Sequence, residues 1–268
     1  VSLFELELVG GPWGRRLGRR RAGFDDLPWE KAAEDAAPEE IARARLAWTQ
    51  SAFSELASAA AFAEIASCLC AAGAPIDLTA AAGDFVVDEV LHAELSARVA
   101  AAFGGAVALE VDLTRLVRPP VAPAPLLRAA ELLVRTSCVG EALTVPILKA
   151  TKARPCSPLV KAVVTRIARD ESAHAELGPW FLDWAAPRLS DDDRAHLGRA
   201  AGVAVRAFAP IFAGSCAGGN HLGVLDCGSY DATFASALAR RVVRPLAARG
   251  IVVPPDDVAA AMPRLQPM

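Results

Sequence analysis

One eight-residue phrase occurs twice and limits what this chain can fold into. Asp88-Glu89-Val90-Leu91-His92-Ala93-Glu94-Leu95 returns as Asp170-Glu171-Ser172-Ala173-His174-Ala175-Glu176-Leu177, and an internal repeat is the first organising signal to look for in a sequence. On a helix the Glu and His of E-x-x-H project from one face a single turn apart, so both can converge on one ion. A lone copy is weak, because this spacing is common on solvated helix faces. Two copies in apolar surroundings, VVDEVLHAEL and VTRIARDESAHAEL, are a stronger signal. Charge buried there must be neutralised by a partner or a cation.

Each copy also has a glutamate upstream on an apolar helical stretch. Glu55 precedes Glu89 by 34 residues and Glu141 precedes Glu171 by 30, a separation that suits antiparallel helices joined by a short turn with both carboxylates near mid-helix. Trp48, Glu55 and Phe62 are seven apart and share a face, which places Glu55 on an apolar stripe. Glu64 is the competing carboxylate on that helix, but it lies nine residues on, towards the adjacent flank, and reads otherwise as a surface charge.

One Glu from each of two helices and a Glu-x-x-His from each of two others is the pattern of ferritin-like dinuclear carboxylate proteins. Over roughly residues 41 to 186 the chain resembles that superfamily. It looks closer to the members with two such motifs (rubrerythrins, ribonucleotide reductase small subunits, bacterial multicomponent monooxygenases, manganese catalases) than to storage ferritins, and closest to bacterial ferritin-like domain proteins. The resemblance implies an all-α fold: a ferritin-like four-helix bundle with a long crossover between its second and third helices, plus C-terminal helices. It implies six metal ligands, Glu55, Glu89, His92, Glu141, Glu171 and His174, holding two iron ions, with manganese or a mixed pair as the alternative. By the same resemblance Asp88 orients His174 and Asp170 orients His92 from behind the ligands. Thr144 is placed to hydrogen-bond bound oxygen, and Phe62, Phe85 and Val145, with Ala59, form an apolar pocket. No catalytic group beyond the ligands is visible.

The rest of the chain bounds these expectations. At 268 residues it is long enough for a sizeable core, and its Ala-rich, aromatic-poor composition suits close-packed helices. A net charge of −3 gives no reason to expect nucleic acid or an anionic membrane. No apolar run looks long enough for a membrane span, and the basic cluster follows the first apolar stretch, the reverse of a secretory signal, so the expected location is cytoplasmic. Residues 1–38 read as an irregular arm over the bundle, its Arg15, Arg16, Arg19, Arg20 and Arg21 a solvated face. Residues 39–188 read as the bundle and 189–268 as a helical extension packed on it.

Helices are expected from Pro38 to about Ala72, from about Thr79 to Gly104, from Pro125 to Lys152, and from Pro158 to Ala186. Four prolines in VRPPVAPAP make the stretch before Pro125 a non-helical crossover, with VALEVDL mildly extended. Pro146 should kink or widen the third helix. Two more helices are expected, from Ser190 to Phe212 and from Tyr230 to Arg249, with His196 on the surface. Trp180, Phe181 and Trp184 read as packing, and Cys68, Cys70, Cys138 and Cys156 as small hydrophobes. Cys216, His221 and Cys227 fall in a glycine-rich loop that could hold zinc, a disulfide, or neither. Tyr230, the only tyrosine, is far from the motifs in sequence, and no C-x-x-C pair is present to supply electrons.

Two classes of function follow from the resemblance. The first is an oxygenase or oxidase that uses dioxygen and an external electron donor on a small organic substrate. The second is a ferroxidase or iron-handling protein without organic substrate. A tRNA-directed reading would need a basic face at the pocket mouth, which the scattered arginines do not provide. The chain could pair as a homodimer.

Overall fold

The computed structural model describes residues 2–32, 36–213 and 221–262. The described chain is helical apart from one antiparallel pair of two-residue strands, β1 (Ser2–Leu3) and β2 (Glu110–Val111). The arm is more regular than its sequence suggests. Helix α1 (Gly11–Arg20) opens it and a 3-10 turn follows at Trp29–Lys31. Phe24 is buried under the arm, Arg21 Nε donates to Glu94 at 2.6 Å, and Arg98 lies 4.6 Å over the Trp29 ring.

Helix α2 (Pro38–Ala71) starts as expected, with proline in its first turn, Glu39 and Glu40 near the positive end of the dipole, and Ala37 N–H donating to the Glu40 carboxylate at 3.2 Å. By length and composition alone, one stretch of α2 is apolar enough to cross a bilayer. This corrects the expectation of no such run, because Glu55 and Glu64 are too few to offset its Ala, Phe, Ile, Leu and Cys content. The same helix packs along α3 (Ile76–Ala102) and against α4 (Pro125–Arg135). Helix α3 begins at Ile76, three residues earlier than expected, since Pro75 presets the backbone for the first turn.

The third rod of the bundle is built in three pieces: α4, a π-helical turn at Thr136–Glu141, and α5 (Ala142–Ala153). The widening expected at Pro146 occurs one turn earlier and has Glu141 as its last residue. Helix α6 (Pro158–Ala185) packs on all three pieces and on α3. Where α6 meets the π turn, the Ser137 hydroxyl donates to the His174 carbonyl at 2.6 Å and accepts from Gly178 N–H at 2.8 Å. A helical hydrogen bond of α6 is thus opened by a side chain beside Pro179, a known cause of local bending. Gly178 permits the approach: a Cβ there would lie 2.5 Å from Cys138 Sγ.

Helix α7 (Asp191–Ala213) packs on α4 and the π turn; α8 (Cys227–Ala237) and a second π turn (Leu238–Val243) pack on α5, and α9 (Arg244–Ala247) folds against that second turn; α10 (Pro255–Ala260) closes onto α7. Several local expectations change. Trp180 is 65% exposed, while Phe181 is buried and Trp184 carries Arg188 over its ring, because on α6 only the Phe181 side turns inward. Cys70 is exposed, on the outer side of α2 from buried Cys68. Cys227 is disulfide-bonded, which removes its thiolate from a zinc site with His221; Cys216 lies outside the described residues.

His196 is half-buried, with its Nε2 2.9 Å from the carboxylate of Glu131, a buried residue of α4. Glu131 also accepts from the backbone N–H groups of Val121 (3.0 Å) and Ala122 (3.2 Å) and from Arg135 (3.0 Å). One carboxylate thereby ties the crossover, α4 and α7 together. Glu131→Ala strands two amides and a guanidinium without their acceptor and is expected to cost about 3 kcal/mol. Urea unfolding measures it, and a loss under about 1 kcal/mol would show that the network is not holding the crossover.

Candidate metal centre

The local rule that put Glu and His on one helix face holds in both copies: Glu89 with His92 on α3, and Glu171 with His174 on α6, all four buried. The two helices present these faces to each other, and the glutamates lie between the imidazoles. His174 Nδ1 is 3.0 Å from a Glu89 oxygen and 3.0 Å from a Glu171 oxygen; His92 Nδ1 is 3.0 Å from Glu171 and 3.6 Å from Glu89. The ring centroids are 5.9 Å apart.

Glu55 reaches this group from α2. Glu55, Glu89, His92 and Glu171 each offer a ligand atom within 4.8 Å of the others, a group that could hold a metal ion. Glu141, 5% exposed at the end of the π turn, comes in from the third rod and hydrogen-bonds Glu171. All six ligand positions read from the sequence therefore meet, with His174 and Glu141 adjoining the compact four. Glu64, the competing carboxylate of α2, is not among them.

The atoms are arranged for something other than one another. Both carboxylate oxygens of Glu89, one of Glu171 and Nδ1 of His92 are buried without a hydrogen bond of good geometry, although oxygens and imidazole nitrogens stand 3.0–3.6 Å apart. Orphaned polar atoms at such density are expensive and call for an ion or water in common. The donor set, carboxylates with imidazoles, suits iron, manganese or zinc over thiolate-seeking ions.

Behind the Nδ1 atoms, each Nε2 faces an aspartate of the other motif. His92 Nε2 is 3.5 Å from Asp170 and His174 Nε2 is 3.6 Å from Asp88. Donation of Nε2–H to these carboxylates would leave Nδ1 with its lone pair towards the centre. Both aspartates are part-buried and backed by arginines: Arg166 (3.1 Å) and Arg169 (3.2 Å) on Asp170, Arg20 (3.8 Å) on Asp88. Burial works against the Asp170 charge, but His92, Arg169 and Arg166 outweigh it and hold the group at about 2.

Without a cation the cluster settles its charge with protons. Burial, then the Glu89 and Glu171 charges, push Glu55 well above the carboxylate range, and burial with Glu171 and Glu89 does the same to Glu141. Glu171 moves the other way: burial opposes its ionisation, yet hydrogen bonds from His174 and His92 hold it below its ordinary value. Burial also opposes the imidazolium forms, but Asp170, Glu171 and Glu89 raise His92, and Asp88, Glu171 and Glu89 raise His174.

Phe85 lies 4.2 Å and Phe62 5.3 Å from the His174 ring, sealing that side. Neither they nor buried Val145 line the cavity beside Glu55 and Glu141. This cavity, of about 670 Å³, opens between α2 and the π turn, with Ser54, Ser58, Thr136 and Thr144 in its wall. Of these only Thr144 was legible beforehand, although Ser51, Ser54 and Ser58 share the Glu55 face at helical spacing. Tyr230, remote in sequence, is buried in the wall of a second, narrower cavity that also reaches Glu55. Comparison with protein-family models, with curated proteins and with solved structures returns no match.

Two expectations follow. Metal uptake must displace protons from Glu55, Glu141, His92 and His174, all of which are raised, so affinity should climb with pH by about tenfold per unit for each proton lost. Calorimetric titration across neutral pH in buffers of different ionisation enthalpy reads both quantities; a pH-independent affinity would contradict the proton-filled cluster. Asp170→Ala, which frees the back of His92, should weaken metal binding about 10–100-fold in the same titration and, by removing the acceptor that helps to hold the His92 imidazolium, should also lower the melting temperature of the metal-free protein.

Proposed function

We propose that this protein is a dinuclear non-haem metal oxidoreductase of ferritin-like type, with two iron ions held by Glu55, Glu89, His92, Glu141, Glu171 and His174, manganese or a mixed pair being the alternative. Helical hairpins, α2 with α3 and the α4–α5 rod with α6, joined by the crossover at residues 103–124, support the ferritin-like topology. Iron bound there would supply stored electrons and a binding face for dioxygen. The chain's own contributions are positional. Glu89 and Glu171, each within 3.6 Å of both imidazoles, would hold metal together with them. Asp170, in hydrogen-bond reach of His92 Nε2, and Asp88, 3.6 Å from His174 Nε2, would orient the two imidazoles, and Phe62 and Phe85 exclude water from the His174 side.

The cavity against Glu55 and Glu141 carries the functional reading. A space of about 670 Å³ is of ligand size, and it touches the two outer carboxylates and Thr144, whose hydroxyl is one of the hydrogen-bonding groups in its wall. It supports an oxygenase or oxidase acting on a small organic molecule, with electrons from an external donor. An iron-handling protein without organic substrate would want an acidic approach. Among the described residues, Glu55 and Glu141 are the only acids lining the cavity.

The test is reconstitution with iron(II) without oxygen, metal analysis, and rapid mixing with oxygenated buffer. Two ions per chain and an oxygen-dependent absorbance change, abolished in Glu171→Gln, are expected. Uptake of at most one ion per chain under saturating iron and manganese would end the dinuclear reading.

A further inference from the structure

Two cavities meet at Glu55, and their walls differ in chemistry. They share Gln50, Ser51, Ser54 and Glu55, all on one face of α2. The larger is rich in hydroxyls, with Ser58, Thr136 and Thr144 joining the shared serines. The smaller, about 90 Å³, runs from the same glutamate between α2, α5 and α6, and its walls include Trp48, Ile147, Leu148, Val164, Ile167 and Leu225.

The far wall of the smaller cavity is fixed. Trp48 Nε1–H donates to the Leu222 carbonyl at 2.9 Å, and Gly223, at φ +100°, lies so close that a Cβ there would stand 3.1 Å from the Trp48 ring. The segment that forms this wall is thus tied to α2 through Trp48, and the rest of the bore is set by branched side chains of α5 and α6.

Charge divides the candidate ligands. Among the described residues no Lys, Arg or His lines either cavity, and the only carboxyl groups are Glu55 and Glu141. A carboxylate or phosphate would be desolvated there with no cationic side chain to receive it, and the four carboxylates of the centre already balance the charge of two divalent ions. An O–H or N–H group, by contrast, finds serine and threonine hydroxyls and the Gln50 amide as partners.

We propose that the substrate is an uncharged or protonated hydrogen-bonding molecule, an alcohol, amine or amide. Its polar head occupies the larger cavity and a slender apolar arm enters the smaller one, so that the atom joining the two rests against Glu55. This assignment rests on the dinuclear oxidoreductase reading for its chemistry, but the binding it describes can be measured separately.

The experiment uses the full chain saturated with zinc(II), which is redox-inert, and ligand-detected NMR titrations with n-alkanols from butanol to octanol and n-alkanesulfonates of equal length. Alkanol affinity should rise about fourfold per methylene until the narrow cavity is full and then level off. Sulfonates should bind at least about tenfold more weakly. Ile167→Trp should abolish the chain-length dependence and leave the shortest alkanol bound as before; Leu148→Trp, from another wall, does the same should the first substitution unfold the chain. Affinity indifferent to length, sulfonates binding as tightly as alkanols, or length dependence surviving both substitutions would overturn the assignment. Metal content of the same samples reports on the centre itself. Two ions with no alkanol binding overturns only the substrate class, whereas length-dependent binding without ions supports the cavities and removes the dinuclear reading.

Discussion

Four carboxylates and two imidazoles converge in an otherwise apolar interior, and that unresolved charge is the constraint on which the rest of the molecule depends. In a medium of low dielectric, unbalanced carboxylates would separate the helices that carry them. The protein meets the problem first with protons on Glu55, Glu141 and the imidazoles. Cations could meet it with better geometry, because so many of the inner polar atoms lack a partner. Structural ion pairs normally satisfy each other; these six groups do so only in part.

The surrounding fold is largely a device for aiming side chains. Two identical i, i+3 pairs supply the facing halves. The third rod must deliver Glu141 from a different height, and it does so by widening into a π turn whose Ser137 is wedged into α6 against Gly178. Glu131, gathering the crossover and α7 around α4, holds the upstream end of the same rod.

What could be read from the sequence was what is local. The repeated motif, the proline-marked helix starts and the proline-rich crossover are short-range patterns, and Glu55 and Glu141 could be added because two helical turns of apolar context surround each. The reciprocal aspartates came from resemblance, and the distances behind His92 and His174 agree with it. The rest was hidden because it depends on partners distant in the chain. Nothing near His196 announces Glu131, and nothing near Tyr230 announces a cavity that reaches Glu55. The π turn falls before Pro146, where the contact with α6 decides the backbone. Phe62, Phe85 and Val145 could be picked from the apolar faces of single helices, whereas the cavity against Glu55 and Glu141 lies where α2 turns small hydroxyl residues towards a widened rod.

The aspartates cross over: each steadies the imidazole of the opposite motif, not its own. Helices α3 and α6 are consequently latched by two tongues pointing in opposite directions, and no sliding of one past the other can relieve one tongue without pulling the other. Any ligand or partner that shears this pair will slacken both motifs together.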